Sequence, residues 1–168
     1  MDGGTTPVLA SGLGTVAGAT PSIATDGVSV YWSAYDNSSP DNNGVFKVSV
    51  SGGLVTALAP GRTGNGIVAD ITGMYWTEDI EVMEVGLDGG TAVTLAKDVA
   101  PVGPLAIDGT NVYWTDSGGF VFRVPKGGGA IVTLATAQPG PGAIALSTSS
   151  VYWANGSGPQ SGIYQLPK

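Results

Sequence analysis

The sequence predicts an all-β fold built from repeated units, and three observations support this prediction. First, the 168 residues include 28 glycines and 11 prolines, whereas 42% of the residues are hydrophobic and only 11% are charged. A disordered chain would be poor in apolar residues and rich in charge, so this composition favours short strands joined by tight turns. Second, all four tryptophans follow a tyrosine and recur at intervals of about 40 residues, which is typical of the blades of a β-propeller. Third, the segments around these pairs repeat as well.

Each repeat predicts four short antiparallel strands. A small apolar segment that ends in a turn comes first, as in Ala106-Ile107-Asp108-Gly109, where Asp-Gly is a hairpin signal. The Tyr-Trp strand follows, in the forms Tyr31-Trp32, Tyr75-Trp76, Tyr113-Trp114 and Tyr152-Trp153. The third strand has a polar third residue in every copy, namely Lys47, Glu84, Arg123 and Gln165. A glycine-rich turn and a fourth strand such as Val93-Thr94-Leu95-Ala96 complete the unit. We therefore expect one domain, residues 1–168, with blades at about 11–59, 60–96, 97–135 and 136–168 plus 1–10.

The last blade is expected to combine both ends of the sequence. Residues 2–10 match residues 88–96 without a gap, so the beginning of the sequence reads as the turn and outer strand of a blade. Pairing of this outer strand with the C-terminal strands would close a ring of four blades and leave no unpaired sheet edge. Alternatively, two chains would alternate head to tail as a homodimer with eight blades. A start inside a turn also fits a fragment excised from a longer repeat protein.

The motif at residues 113–116 carries a resemblance to a known family. Tyr113-Trp114-Thr115-Asp116 resembles the YWTD-type propellers of lipoprotein-receptor ectodomains and related bacterial repeat proteins. The other copies diverge after the Tyr-Trp pair, to Thr77-Glu78, Ser33-Ala34 and Ala154-Asn155. The resemblance implies a rigid extracytoplasmic scaffold that binds a ligand on one face, and it implies no reaction. Because the receptor propellers have more blades, it does not fix the number of blades.

The charge and the missing residue types exclude several classes of function. With 13 acidic and 6 basic residues the net charge is −7, so a surface that binds nucleic-acid phosphates is not expected. The sequence has no cysteine and no histidine, which excludes disulfides, thiol chemistry and catalysis or zinc binding through histidine. No apolar run reaches the ~18 residues of a membrane span, and no segment reads as a signal peptide.

Two groups of residues are candidates for a site. The first is an insertion of oxygen-bearing side chains between the second and third strands of the first repeat: Asp36, Asn37, Asp41, Asn42 and Asn43. Such a loop can present a ligand site on a rigid scaffold. Asp36 and Asp41 are candidates for Ca²⁺ ligands, in a loop that lacks the EF-hand spacing. The second group is the acidic cluster Glu78, Asp79, Glu81 and Glu84, which we interpret as a solvated hairpin edge rather than an acid–base pair.

The four Tyr-Trp pairs are expected to be structural. Alternation along a strand places each tryptophan on one face and each tyrosine on the other, where both pack between blades. The sequence as a whole therefore predicts a non-enzymatic binding scaffold with a protein or glycan ligand and no cofactor. The alternative is a glycan-binding, lectin-like propeller or one that acts on polysaccharides.

Overall fold

The computed structural model describes residues 7–11, 22–35, 43–62, 64–97 and 102–168. Within these ranges the chain forms four antiparallel sheets and contains no α-helix. Sheets 1, 2 and 3 have four strands each, and sheet 4 has three. In every sheet the strands lie in chain order, so each sheet is a simple meander. This is the predicted all-β class with one sheet for each Tyr-Trp repeat.

The strands of the first two sheets have the following bounds. Sheet 1 contains β1 (Ile23–Thr25), β2 (Ser29–Ala34), β3 (Gly44–Ser49) and β4 (Thr56–Pro60). Sheet 2 contains β5 (Asn65–Asp70), β6 (Gly73–Glu78), β7 (Glu81–Val85) and β8 (Val93–Ala96).

The last two sheets follow the same plan. Sheet 3 contains β9 (Val102–Ile107), β10 (Asn111–Asp116), β11 (Val121–Pro125) and β12 (Val132–Ala135). Sheet 4 contains β13 (Pro141–Leu146), β14 (Ser150–Asn155) and β15 (Gly162–Pro167), with a short 3₁₀ helix at Gly158–Gln160 between the last two strands.

The turn before the outer strand repeats with its backbone conformation. Gly89 and Gly90 have φ angles of 80° and 119°, and the corresponding glycine pairs of sheets 1 and 3 also have positive φ. Side chains with a Cβ rarely adopt this region, which explains why the sequence keeps two glycines there. The register between the third and fourth strands then shifts at the same place in sheets 1, 2 and 3, as between Val82 and Met83. Such a bulge increases the local twist of the sheet.

The sheets pack face to face in chain order, and each interface is built from the same two faces. The tyrosine face of one sheet packs against the tryptophan face of the next. Tyr75 and Val82 of sheet 2, for example, share a buried cluster with Leu105 and Trp114 of sheet 3. The outer strand adds a leucine and an alanine to each cluster. Leu58 and Ala59 belong to the cluster of Trp76, and Leu95 and Ala96 belong to the cluster of Trp114. Alternation along each strand thus supplies both halves of every interface.

Residues 7–11 occupy a different place from the one that the closure prediction gives them. Within the described ranges this segment is not a strand, and β15 pairs only with β14. Leu9 and Ala10 instead pack on Trp32 and Val48 of sheet 1. In the other sheets the outer strand makes two sets of contacts. Its backbone forms hydrogen bonds with the third strand of the same sheet, and its apolar side chains contact the tryptophan of the following sheet. Leu9 and Ala10 keep the apolar contacts, which depend on side chains, and lack the backbone pairing.

Candidate binding surfaces

The stack of sheets has two chemically different ends. At one end, which we call the turn end, lie the tight turns between the first and second strands of each sheet, around Asp26, Asp70, Asp108 and Ser147. At the opposite end, the loop end, lie the connections between the second and third strands and those that lead to the next sheet. Contacts between neighbouring sheets keep this orientation. Ser22 at the loop end of sheet 1 accepts a hydrogen bond from the backbone N–H of Ile67 in sheet 2, at 2.8 Å.

At the turn end, an aspartate organises the first hairpin of sheets 1 and 3. Oδ1 of Asp108 accepts hydrogen bonds from the N–H groups of Thr110 and Asn111, both at 2.9 Å, and Oδ2 accepts one from the Tyr113 hydroxyl at 2.9 Å. Asp26 makes the same set of bonds in sheet 1, including one of 2.9 Å from the hydroxyl of Tyr31. The turn aspartate therefore fixes both the hairpin and the neighbouring tyrosine.

These contacts change the proton affinities of the residues concerned. Burial by itself would raise the pKa of Asp108, but hydrogen bonds from Thr110, Lys168, Asn111 and Tyr113 outweigh burial and hold the pKa well below its usual range. Burial, together with the hydrogen bond to Asp26, raises the pKa of Tyr31 to about 12. Burial likewise raises the pKa of Tyr75 to about 12, with the charges of Glu84 and Asp70 acting in the same direction. At neutral pH the hydroxyls of these tyrosines therefore stay protonated.

Two lysines link the turn ends of neighbouring sheets. Lys126 of sheet 3 forms an ion pair with Asp70 of sheet 2, and its ammonium lies 5.1 Å from the centre of the Tyr75 ring. Lys168 forms the equivalent pair with Asp108, with 2.9 Å between Nζ and Oδ2. Neither lysine is among the candidate residues predicted from the sequence. The sequence does contain a signal for them, because a lysine follows the proline that ends the third strand in the last two repeats, as Pro125-Lys126 and Pro167-Lys168.

Glu84 belongs to the same polar group as Asp70 and Lys126. Its Oε1 accepts a hydrogen bond of 3.2 Å from the hydroxyl of Tyr75, which also lies 3.1 Å from Oγ1 of Thr72. Burial raises the pKa of Glu84, and the hydrogen bond from Tyr75 and the charge of Lys126 oppose the effect of burial. These polar side chains thus satisfy one another between sheets 2 and 3.

The loop end carries connections of very different length. The connection between the second and third strands spans residues 35–43 in sheet 1, 79–80 in sheet 2, 117–120 in sheet 3 and 156–161 in sheet 4. The corresponding turns at the turn end are uniformly short, at residues 26–28, 71–72, 108–110 and 147–149. The repeat therefore varies at one end and is constant at the other.

Most of the predicted loop site lies outside the described residues. This applies to Asp36, Asn37, Asp41 and Asn42, and with them to both candidate calcium ligands. Asn43 is described, and its carbonyl accepts a hydrogen bond of 2.8 Å from the N–H of Gly61. Among the residues that the structure describes, no three acidic side chains come together in a way that could hold a metal ion.

The four acidic residues of sheet 2 do not all lie at one place. Glu78 accepts a hydrogen bond of 3.2 Å from Arg62 at the loop end, whereas Glu84 bonds to Tyr75 towards the turn end. Asp79 is in the two-residue turn of the hairpin and has a φ of 50°. Glu84 therefore lies apart from Glu78 and Glu81, which are opposite each other at the loop end of the hairpin.

The tryptophans of the repeat are buried, and one of them differs from the rest. Trp153 donates a hydrogen bond of 3.0 Å from Nε1 to Oε1 of Gln138, which also accepts one of 2.9 Å from Asn155. For Trp32, Trp76 and Trp114 the buried Nε1 atom has no partner among the described residues. Tyr31, Tyr75 and Tyr113 are also buried, and Tyr152 is half-buried. Most side chains of the Tyr-Trp pairs thus pack between sheets, whereas Trp32 and Tyr152 lie on the two outermost faces.

The two outermost faces of the stack expose apolar residues. On sheet 1, a groove of about 440 Å³ is lined by the segment Val8–Ala10 together with Ser22, Ile23, Val30, Trp32 and Val48. On sheet 4, a smaller groove of about 180 Å³ is lined by Ala143, Ile144, Ala145, Tyr152, Trp153, Ala154 and Ile163. Neither groove has a charged side chain in its lining.

Comparison with known proteins adds information on the fold. No protein-family model matches the sequence, and no curated protein is similar to it. A search for helices that are long and apolar enough to cross a membrane finds none among the described residues.

Two solved structures are similar in shape. A chain from a crystal structure of a nidogen/laminin complex superposes with a TM-score of 0.65 and is 22% identical in sequence. The match covers 81% of this chain but only 56% of that chain. The computationally designed Ika4 protein superposes with a TM-score of 0.73 at 12% identity, over 97% of this chain and 99% of the designed one. These comparisons show a propeller-like fold, which agrees with the all-β class predicted from the Tyr-Trp repeat.

Proposed function

We propose that the chain is a non-enzymatic binding scaffold of the propeller type, which binds a protein ligand at its loop end. The observation that carries this proposal is the difference between the two ends of the stack. The shortest connection between the second and third strands at the loop end is residues 79–80, and the longest is residues 35–43. The turns around the aspartates, in contrast, have nearly constant length. Binding residues occur preferentially on variable loops that a rigid scaffold holds in place, which favours the loop end as the binding surface.

The polar contacts of the structure support a scaffold rather than an enzyme. The acidic and basic side chains at the turn end bond to one another, with Lys126 on Asp70 and Lys168 on Asp108. An acid–base pair would need two carboxylates that face one substrate, whereas the groove of about 510 Å³ lined by Glu81 has no second carboxylate among the described residues that line it. The similarity to a chain crystallised in a protein complex also favours a protein ligand. Membership of the YWTD-type family is part of this proposal, supported by Tyr113-Trp114-Thr115-Asp116.

The repeat further implies that the stack belongs to a closed ring. Either one chain closes as four blades or two chains close head to tail as eight, because closure removes the exposed sheet edge that sheet 4 otherwise presents. The loop end is a single surface in both rings, so the proposed binding does not depend on which ring forms.

Binding and turnover can be tested together on the intact chain. Laminin is a suitable protein probe because the similar chain comes from a complex that contains it. Pectin, alginate and xylan serve as glycan probes for the alternative function. Binding is measured by biolayer interferometry, and turnover by the release of reducing ends and by absorbance of unsaturated products. We expect binding without product, whereas product release would identify an enzyme and contradict the proposal.

Matched variants locate the surface once a probe binds. Ile80 is an exposed apolar residue at the tip of the sheet 2 hairpin, so Ile80→Asp and the double variant Asp36→Ala/Asp41→Ala change the loop end. Asp88→Ala changes an exposed acidic residue at the turn end and is the control. We expect the loop-end variants to weaken binding at least tenfold and the control to bind like the parent. A loss only in Asp88→Ala would place the ligand at the turn end instead.

A further inference from the structure

The tyrosine face of sheet 4 lacks the cover that the same face has in the other sheets. Ile163 is equivalent to Val45, Val82 and Val121, which are 0% exposed, but Ile163 itself is 76% exposed. Tyr152 is only half-buried, although the other three tyrosines of the repeat are buried. In sheets 1, 2 and 3 the next sheet covers this face. Sheet 4 has the same residue types without a following sheet.

The tryptophan face of sheet 1 lacks cover in the complementary way. Ile23 pairs with Trp32 in the sheet, as Ile67 pairs with Trp76 and Leu105 with Trp114. Ile67 and Leu105 are 5% and 7% exposed because the preceding sheet packs on them, whereas Ile23 is 72% exposed. Leu9 and Ala10 cover part of this face and leave the groove of about 440 Å³ open.

The two uncovered faces are the two halves of one interface. Between sheets 1 and 2, 2 and 3, and 3 and 4, a tyrosine face packs on a tryptophan face with the same residue types at the same positions. The chain therefore contains three complete copies of this interface and one copy divided between its two ends. The two halves are different surfaces, so two copies of the chain can join head to tail. The tyrosine face of each copy then packs on the tryptophan face of the other.

We propose that the occupant of these two faces is a second copy of this chain, which forms a closed ring of eight sheets. The burial pattern favours this ring over closure within one chain. The three interfaces within the stack bury their central residues and still leave Ile23 and Ile163 exposed, so the packing angle of these interfaces does not bring sheet 4 onto sheet 1. Two chains give eight sheets, within the four to eight blades that are typical of propellers, whereas three would give twelve. This inference does not depend on the proposed ligand.

The pairing of the other outer strands assigns a register to residues 7–10. In sheets 1, 2 and 3 the third and fourth strands pair identically, with Val82 opposite Ala96 and Met83 opposite Thr94 in sheet 2. Residues 7–10 match residues 93–96 in the sequence. In the ring, Ala10 of one chain would thus lie opposite Ile163 of the other and complete sheet 4 as its missing fourth strand.

Disulfide crosslinking tests this register, since the chain has no cysteine of its own. One chain carries Ala10→Cys and a second, differently tagged chain carries Ile163→Cys, and the two are mixed and oxidised. The proposal predicts that the mixture forms a disulfide between the two chains much faster than a control mixture of Ala10→Cys and Ile71→Cys. Ile71 is 85% exposed in a turn of sheet 2, so the control reports random collision. Equal rates in the two mixtures would overturn the proposal.

Solution mass with point variants is the second measurement and does not depend on oxidation. Light scattering is expected to give twice the chain mass of 16.7 kDa. Ile23→Asp and Ile163→Asp should each reduce the mass to that of one chain, with an unchanged circular dichroism spectrum because both side chains are exposed within the isolated chain. Ile71→Asp should remain dimeric.

Two outcomes would refute the ring of eight sheets. A parent protein with the mass of one chain, together with fast disulfide formation in an Ala10→Cys/Ile163→Cys double variant, would show closure within one chain. A mass that rises above twice the chain mass with increasing concentration would refute the ring in favour of a filament.

Discussion

The Nζ atom of Lys168 lies 2.9 Å from Oδ2 of Asp108, and this ion pair joins the end of sheet 4 to the first hairpin of sheet 3. The side chains are only 16% and 24% exposed, so solvent weakens the interaction less than at a fully open surface. The lysine ammonium also lies 5.6 Å from the centre of the Tyr113 ring. This contact helps to hold the last sheet on the stack.

Replacement of Lys168 tests this role. Lys168→Met should lower the free energy of unfolding by about 1 kcal/mol, because Asp108 loses a charged partner but keeps its bonds to Thr110 and Asn111. Urea unfolding followed by tryptophan fluorescence gives the value. Lys97→Met is the control, at an exposed residue outside the turn end. Equal effects of the two substitutions would show that only net charge matters.

Acidification should destabilise the protein through its turn aspartates. Burial raises the pKa of Asp26, Asp70 and Asp108, but the hydrogen bonds that each carboxylate accepts outweigh burial and hold the folded pKa below its ordinary value of 3.8. Their contribution is complete above the unfolded pKa and is lost as the pH falls through the folded pKa, so stability should decline from about pH 5 downwards. The measurement is the urea midpoint between pH 2.5 and 7. Asp108→Asn should flatten this decline more than Asp88→Asn, and identical profiles would contradict the assignment.

Glu84 should have the opposite pH dependence. Burial raises the folded pKa of Glu84, so its contribution is complete below the unfolded pKa of about 4.5 and is lost as the pH rises through the folded value. We expect Glu84→Gln to be more stable than the parent at pH 7 and equally stable near pH 4, because the amide oxygen can still accept the bond from Tyr75. A Glu81→Gln variant is the control. A variant that is less stable at pH 7 would show that the charge of Glu84 supports Lys126 more than burial opposes it.

Gln138 should stabilise sheet 4 through the buried indole of Trp153. Gln138→Leu removes the acceptor of two hydrogen bonds, from Trp153 and from Asn155, and leaves both donors buried without that partner. The expected loss is about 2 kcal/mol in the free energy of unfolding, measured by urea denaturation. Gln160→Leu, at an exposed residue of the 3₁₀ helix, should leave stability nearly unchanged. An equal change in both variants would mean that the buried donors find water instead.

The sequence predicted the local structure of this protein well because that structure depends on short-range patterns. Alternation along strands such as Gly73–Glu78 places Tyr75 and Trp76 on opposite faces, and paired glycines mark the turns before the outer strands. The interval between Tyr-Trp pairs gave one sheet per repeat. These features need only neighbouring residues, so each repeat reports them independently.

The contacts between sheets required the tertiary structure. The pairs of Lys126 with Asp70 and of Lys168 with Asp108 join residues far apart in the sequence, and only the stacking of the sheets brings them together. The position of Leu9 and Ala10 on Trp32 is a further example. These residues match residues 95–96, which pair with their own third strand and also pack on the next sheet, so the match alone does not decide between the two contacts. The sequence thus determined the strands and their two faces through its periodicity. Only the tertiary structure decided which faces stay uncovered, because this depends on the packing angle between sheets. That angle is a property of whole interfaces and not of any one repeat.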